Sequence, residues 1–86
     1  MSGELTPDAT GTYQSAGLTN GFPSWRRLDN NWALWRADSG YAILSEQLGI
    51  LPTGDDPFWT YSGHMELPTW TMYPEHEVTG EPLVTF

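Results

Sequence analysis

The spread of proline and glycine is the feature that most limits how this chain can fold. Seven prolines and nine glycines are distributed along all 86 residues. Between them, no window of about 12 residues has the apolar spacing of an amphipathic helix. The segments that remain are short and rich in β-branched and aromatic residues, a composition typical of strands. The sequence therefore predicts an all-β fold.

Turn residues separate the predicted strands. The strand segments are 12–16, 22–28, 31–37, 41–45, 57–62, 68–73 and 82–86. Asn20-Gly21 predicts a tight hairpin, because both central residues of that turn need positive φ. Asp38-Ser39-Gly40 fits a three-residue loop, and Asp29-Asn30-Asn31 a third tight connection. We expect a small antiparallel meander of about five to seven short strands, as a curled sheet or a small barrel-like sandwich.

One domain is expected, with residues 1–10 as an N-terminal arm and 11–86 as a single β domain. Segment 46–56 interrupts the rhythm of strands, and Ser45 is placed to cap a single helical turn at 46–48. A chain of this size buries only about 60–65% of the surface that its unfolded form exposes. With no cysteine, disulfides and thiolate zinc sites are excluded. Stabilisation by a partner is therefore a reasonable expectation.

The net charge of −8 limits the classes of partner. It disfavours nucleic-acid backbones and anionic membranes, because both attract basic surfaces. No apolar run approaches the ~20 residues of a membrane span. Residues 1–11 lack the basic and apolar regions of a signal peptide, which predicts synthesis in the cytosol without export by that route. Arg26, Arg27 and Arg36 lie close in sequence, either as solvated surface charge or as a group that steers a polar partner.

Aromatic residues give the strongest indication of a binding surface. As a strand, 31–37 places Trp32 and Leu34 on one face and Trp35 on the other. We predict that Trp32 is in the core, on the same side as Ile43. Trp35 lies between two small alanines, so we predict that its ring projects towards a partner.

The same alternation recurs in 57–62, where Trp59 and Tyr61 share a face. Aromatic residues on both faces have two explanations: the sheet curls and tryptophans close its ends, or one face is an exposed surface for a partner. Trp, Tyr and Arg are enriched at interface hot spots. The predicted partner-binding residues are Trp35, Trp59, Tyr61, Arg26, Arg27 and Arg36.

Catalytic patterns are weak in this sequence. Its two histidines are His64 and His76. His64 could be drawn as a triad with Ser62 and either Asp55 or Asp56, but nothing in the spacing aligns them. No nucleophile elbow, phosphate-cradling loop or helical zinc motif is present. We therefore predict a protein that is not an enzyme and has no cofactor.

Two acidic segments contain candidate metal ligands. In a strand, Glu75 and Glu77 lie on one side and His76 on the other. A carboxylate pair could bind Ca²⁺, but full coordination requires six to eight oxygens. Asp55 and Asp56 fit a polar turn before a proline. Neither segment resembles the spaced acidic loop of a dedicated calcium site, so we predict no metal site.

The order of these features resembles a known kind of module. The segments "GTYQSAGLTNGFPSW", "LWRADSGYAILSEQLG", "PFWTYSG", "ELPTW" and "VTGEPLV" carry the resemblance, over about residues 11–86. They are similar to short β-rich modules that occur in tandem in large proteins of protists and bacteria, and singly in phage structural proteins. The resemblance implies a non-catalytic accessory or adhesion module. This sequence differs from the tandem form in consisting of a single unit.

Two functions follow as hypotheses. The first is a structural or assembly protein, a small component or decoration protein of a larger particle such as a phage virion. Its partners would be protein subunits, met through the aromatic surface and through Arg–carboxylate pairs. The alternative is a carbohydrate-binding module in which Trp35, Trp59 and Tyr61 form a platform of rings, beside polar neighbours such as Asp38.

Overall fold

The protein is all-β, as predicted. A computed structural model describes residues 3–38, 40–62 and 69–85. Its strands are β1 (Tyr13–Thr19), β2 (Phe22–Arg27), β3 (Ala33–Arg36), β4 (Ala42–Ser45), β5 (Phe58–Tyr61), β6 (Thr69–Thr71), β7 (Tyr73–His76) and β8 (Leu83–Thr85). Within these ranges there is no helix long and apolar enough to cross a membrane.

The strands form one open antiparallel sheet and a short ribbon. The sheet has six strands in the order β1-β2-β3-β4-β5-β7, and β6 pairs with β8 in the ribbon. The predicted meander is confirmed from β1 to β5, where every strand pairs with the next one along the chain. The sheet does not close into a barrel, because β1 and β7 remain as its edges.

Two of the predicted tight turns have the backbone that their residues favour. Asn20 and Gly21 both have positive φ, 56° and 82°, as the predicted hairpin turn requires. Asn30 also has positive φ, 64°, in the connection between β2 and β3. In the loop between β3 and β4, the Gly40 amide donates a hydrogen bond to the Ala37 carbonyl. Ser39 of that loop lies outside the described residues.

Cross-strand register assigns the side chains to two faces. One row joins Trp25, Leu34, Leu44 and Trp59 across β2 to β5. Directly paired residues share a face, so this row defines the first face of the sheet. The neighbouring row runs through Arg26, Ala33, Ser45, Phe58 and His76, across five strands, and defines the second face.

Each face carries its own hydrophobic core. The larger core lies on the first face and is closed by the N-terminal segment and by residues of the ribbon. Its buried members are Leu5, Ala9, Trp32, Leu34, Ala42, Leu44, Trp59, Trp70, Met72 and Val84. The smaller core, on the second face, contains Ala33, Trp35, Ala37 and Ile43, with Leu48 and Phe58 packed against it.

The N-terminal segment, predicted as an arm, contributes to the larger core. Leu5 and Ala9 are both buried there. Thr6 forms an isolated bridge with Thr79, with backbone hydrogen bonds in both directions. The Arg27 guanidinium donates to the carbonyl oxygens of Asp8 and Thr10, at 2.8 and 3.1 Å. These contacts bind the segment to β2 and to the far end of the chain.

The predicted helical turn at 46–48 is not formed. Ser45 is instead the last residue of β4, and its hydroxyl is committed elsewhere. Its Oγ accepts a hydrogen bond from Trp35 Nε1 at 3.0 Å and donates one to the Gln47 carbonyl at 3.2 Å. An N-cap would have to accept from a backbone N–H of the following turn. Ser45 therefore anchors an irregular loop to the smaller core.

Tyr13 gives a prediction about alkaline stability. Burial raises the pKa of its phenol, and the hydroxyl donates a 2.7 Å hydrogen bond to the Ala9 carbonyl. The folded protein therefore keeps this proton at a pH where the unfolded chain has released it. Stability from Tyr13 is complete below about pH 10 and decreases above it, by up to about 1.4 kcal/mol per pH unit. Urea unfolding from pH 9 to 11.5, followed by circular dichroism, would measure the slope.

The matched variants are Tyr13→Phe and Tyr73→Phe. Tyr13→Phe should flatten the alkaline slope, because the group that titrates is gone. Tyr73 is 57% exposed, so Tyr73→Phe is the control for removing a tyrosine hydroxyl outside the core. Equal slopes for wild type and Tyr13→Phe would contradict the assignment to Tyr13.

Candidate interaction surface

Trp35 is buried, so the prediction that it projects towards a partner is wrong. Only 1% of its surface is exposed, and it lies in the smaller core. Alternation along β3 places it opposite Trp32, as predicted, but the second face is covered by the chain after β4. Leu48 and Phe58 pack against this core. Ile43 pairs directly with Trp35, so the prediction that Ile43 lies on the side of Trp32 is also wrong.

Trp59 is likewise a core residue and not a surface ring. It is fully buried, and its ring centroid lies 5.7 Å from that of Trp32. Its Nε1 donates a 2.9 Å hydrogen bond to the Gly80 carbonyl. Tyr61 is half-buried and stacks on Trp70, with centroids 4.4 Å apart and ring planes 16° apart. The three rings proposed as a sugar platform are therefore divided between two faces and two degrees of burial.

The three arginines have different environments. Arg27 forms an ion pair with Asp29 at 2.8 Å, in addition to its bonds to the N-terminal segment. That hydrogen-bonded pair raises the pKa of Arg27 and lowers the pKa of Asp29. The Arg36 guanidinium lies over the Phe22 ring, 5.1 Å from its centroid. Arg26 is exposed and forms no ion pair with another of the residues that the structure describes, so it is the arginine that can meet a partner.

The chain between β4 and β5, residues 46–57, forms a loop over the second face; we call it loop 46–57. Between its first half and the sheet lies an open groove of about 270 Å³. The residues that line this groove are Arg26, Asn30, Ala33, Glu46, Gln47, Leu48 and Ile50. The groove is thus lined by polar and aliphatic residues together, with one charge of each sign.

Two aliphatic side chains of loop 46–57 point into solvent. Ile50 is 59% exposed and Leu51 is 60% exposed. Gly49 lies against Thr19, because a Cβ at Gly49 would be 3.5 Å from the Thr19 methyl. Ile50 and Leu51, with the groove that Ile50 lines, are the best candidate for an interaction surface; we call them the Ile50 surface.

Sequence reasoning missed this surface, although a signal was present. Ile50 and Leu51 are adjacent aliphatic residues inside a turn-rich loop, between Gly49 and Pro52. Such a pair belongs to neither a strand nor a helix, so packing within the sheet does not explain it. By contrast, Leu28 and Tyr41 are exposed one at a time in other turns, which is normal for a protein surface.

The acidic segments meet at the other end of loop 46–57. Ligand atoms of Asp55, His76 and Glu77 all lie within 4.8 Å of one another. Glu75, predicted to share a side with Glu77, instead accepts a hydrogen bond from the Thr60 hydroxyl at 3.2 Å. The other histidine, His64, lies outside the described residues, so the triad drawn around it stays a sequence hypothesis.

No protein-family model, curated protein or solved structure matches this chain.

Proposed function

We propose that this protein is a non-catalytic assembly module that binds a neighbouring protein subunit through the Ile50 surface. The exposure of Ile50 and Leu51 at one loop tip carries the proposal. Burying apolar surface contributes about 25 cal/mol per Å², so two aliphatic side chains beside a groove offer a favourable docking point. The aromatic residues expected to form this surface serve the two cores instead.

The occupant is a different protein with an apolar contact and a neutral or basic rim. The charge of −8 opposes association between copies of this chain. Loop 46–57 itself carries Glu46, Asp55 and Asp56 around its apolar tip. Complementary charge speeds encounter and disfavours wrong partners. Arg26, at the groove, provides one donor for a carboxylate or carbonyl of that partner.

A component of a larger particle, such as a phage virion, is the concrete form of this role. It is supported by the resemblance of residues 11–86 to modules of phage structural proteins, and by the acidic charge, which disfavours nucleic acid. The carbohydrate-binding alternative loses its support, because the ring platform on which it depended is not assembled.

A photo-crosslinker at position 50 tests the proposal. p-Benzoylphenylalanine would replace Ile50 in one variant and Leu28, which is equally exposed at 59%, in the control. After irradiation in the native cells, we expect one dominant protein adduct from position 50 and none of that protein from position 28. Mass spectrometry would identify the adduct. Adducts with a second copy of this chain, or equal labelling from both positions, would contradict the proposal.

Affinity for the crosslinked protein then gives the energetic test. Ile50→Asp should weaken binding by about tenfold or more, because it places a charge in the desolvated contact. Leu28→Asp should change the affinity by no more than about twofold, and both variants should keep the unfolding midpoint of the wild type, since exposed substitutions shift stability by only about 0.5 kcal/mol. An unchanged affinity for Ile50→Asp would reject the Ile50 surface as the contact.

A further inference from the structure

We propose that Asp55, His76 and Glu77 bind a Zn²⁺ ion that ties loop 46–57 to the edge strand β7. The ligand atoms of these three residues lie within 4.8 Å of one another. They come from two segments that are distant in sequence, and the pairing of β5 with β7 brings those segments together. Neither segment alone has the spacing of a metal motif.

His76 is positioned for this role. It pairs with Phe58 across β5 and β7, and the ring centroids lie 6.4 Å apart. Its Nε2 is shielded from solvent and has no hydrogen-bond partner among the described residues. A shielded polar atom without a partner is uncommon in folded proteins and calls for a ligand or an ion. Glu77 Oε1 is 4.0 Å away, too far for a hydrogen bond but suitable for sharing an ion.

The backbone directs the two carboxylates to the same place. Asp56 closes its own turn, because its Oδ2 accepts from the Thr53 amide at 3.0 Å and its amide donates to the Thr53 carbonyl at 3.1 Å. Asp55, beside it in the turn, is exposed and faces β7. Glu77 has a left-handed φ of 54°, which breaks strand alternation and allows its carboxylate to lie on the side of His76.

The donor set selects the metal. One imidazole nitrogen and two carboxylate oxygens suit Zn²⁺, which takes three protein ligands and a water in a tetrahedral shell. Ca²⁺ needs six to eight oxygens and is not served by an imidazole. Ligands at about 2.0–2.2 Å from Zn²⁺ lie closer together than 4.8 Å, so the two exposed carboxylates would close in on binding. The ion also neutralises two neighbouring negative charges in an acidic protein.

Zinc titration of the full-length, tag-free protein tests the site. Isothermal titration calorimetry with zinc chloride should show one ion per chain, and the unfolding temperature should rise with zinc. Asp55→Asn, His76→Gln and Glu77→Gln should each weaken zinc affinity by about tenfold or more, since each removes a ligand. Two control variants should change the zinc affinity by no more than about twofold. Glu75→Gln removes a carboxylate charge two residues from Glu77, and His64→Gln removes the other histidine.

Circular dichroism without zinc shows whether each variant is folded, so a loss of affinity is not mistaken for unfolding. In the folded wild type, the NMR signals of the His76 imidazole and the Asp55 amide should shift together on addition of zinc. Three results would overturn the proposal. They are no saturable zinc binding to the wild type, wild-type zinc affinity in Asp55→Asn, or a loss of zinc affinity in His64→Gln equal to that in His76→Gln.

Discussion

Trp59→Ala is expected to lower the free energy of unfolding by about 3–5 kcal/mol, the cost typical of removing a large buried aromatic side chain. Trp59 is fully buried and packs against Trp32 in the larger core. Its loss also leaves the Gly80 carbonyl without the indole donor. The free energy of unfolding of a domain of this size is about 4–13 kcal/mol, so the variant should be marginally stable or unfolded.

Urea unfolding followed by far-ultraviolet circular dichroism measures this effect without depending on tryptophan fluorescence. Trp59→Phe is an intermediate variant, because it keeps one aromatic ring in the core while it removes the indole N–H donor and part of the buried volume. The free energy of unfolding should decrease less in Trp59→Phe than in Trp59→Ala. Tyr73→Ala, at an exposed aromatic residue, should cost no more than about 0.5 kcal/mol. Similar losses for Trp59→Ala and Tyr73→Ala would contradict the placement of Trp59 in the core.

Gly80→Ala is the second substitution with a large expected effect. A Cβ at this position would collide with the Glu4 carbonyl oxygen and lie 3.0 Å from a Leu5 methyl. Gly80 also has φ of +92°, which side chains rarely adopt. Backbone strain and overpacking together should cost about 2–4 kcal/mol. Because the collision is with the N-terminal segment, we also expect that segment to become more sensitive to protease.

Gly40→Ala is the matched control for Gly80→Ala. Gly40 has a similar φ of +97°, but a Cβ there would meet no atom within 4 Å. It reports the cost of the backbone conformation alone. Urea unfolding measures the decrease in the free energy of unfolding for both variants. The additional decrease in Gly80→Ala is the contribution of close packing against Glu4 and Leu5. Equal losses in the two variants would mean that the N-terminal segment does not pack on Gly80.

Sequence reasoning located β1 to β4 because the turns that join them are local, whereas the predicted segment 68–73 did not separate β6 from β7. Asn20-Gly21 and Asp29-Asn30-Asn31 determine their own backbone through residues that accept positive φ. Alternation along β3 likewise placed Trp32 and Trp35 on opposite faces. These features depend on neighbouring residues, which a single sequence contains.

Predictions that depended on distant contacts failed or were missed. Burial of Trp35 depends on loop 46–57 folding over the second face, and nothing local in that loop specifies where it lies. The face of Ile43 depends on register, and a shift of one residue reverses every side chain of a strand. The approach of Asp55 to His76 depends on β7 pairing with β5 after β6 has left the sheet.

Loop 46–57 carries the Ile50 surface and one ligand of the proposed zinc site. Its beginning is held by the Ser45 hydroxyl, which joins Trp35 to the Gln47 carbonyl. The Ile50 tip follows, and Asp55 lies near the end. If an ion orders one end, the conformational entropy that a partner must remove at the other end is smaller. Linkage then requires reciprocity: zinc would tighten partner binding by the same factor by which the partner tightens zinc binding.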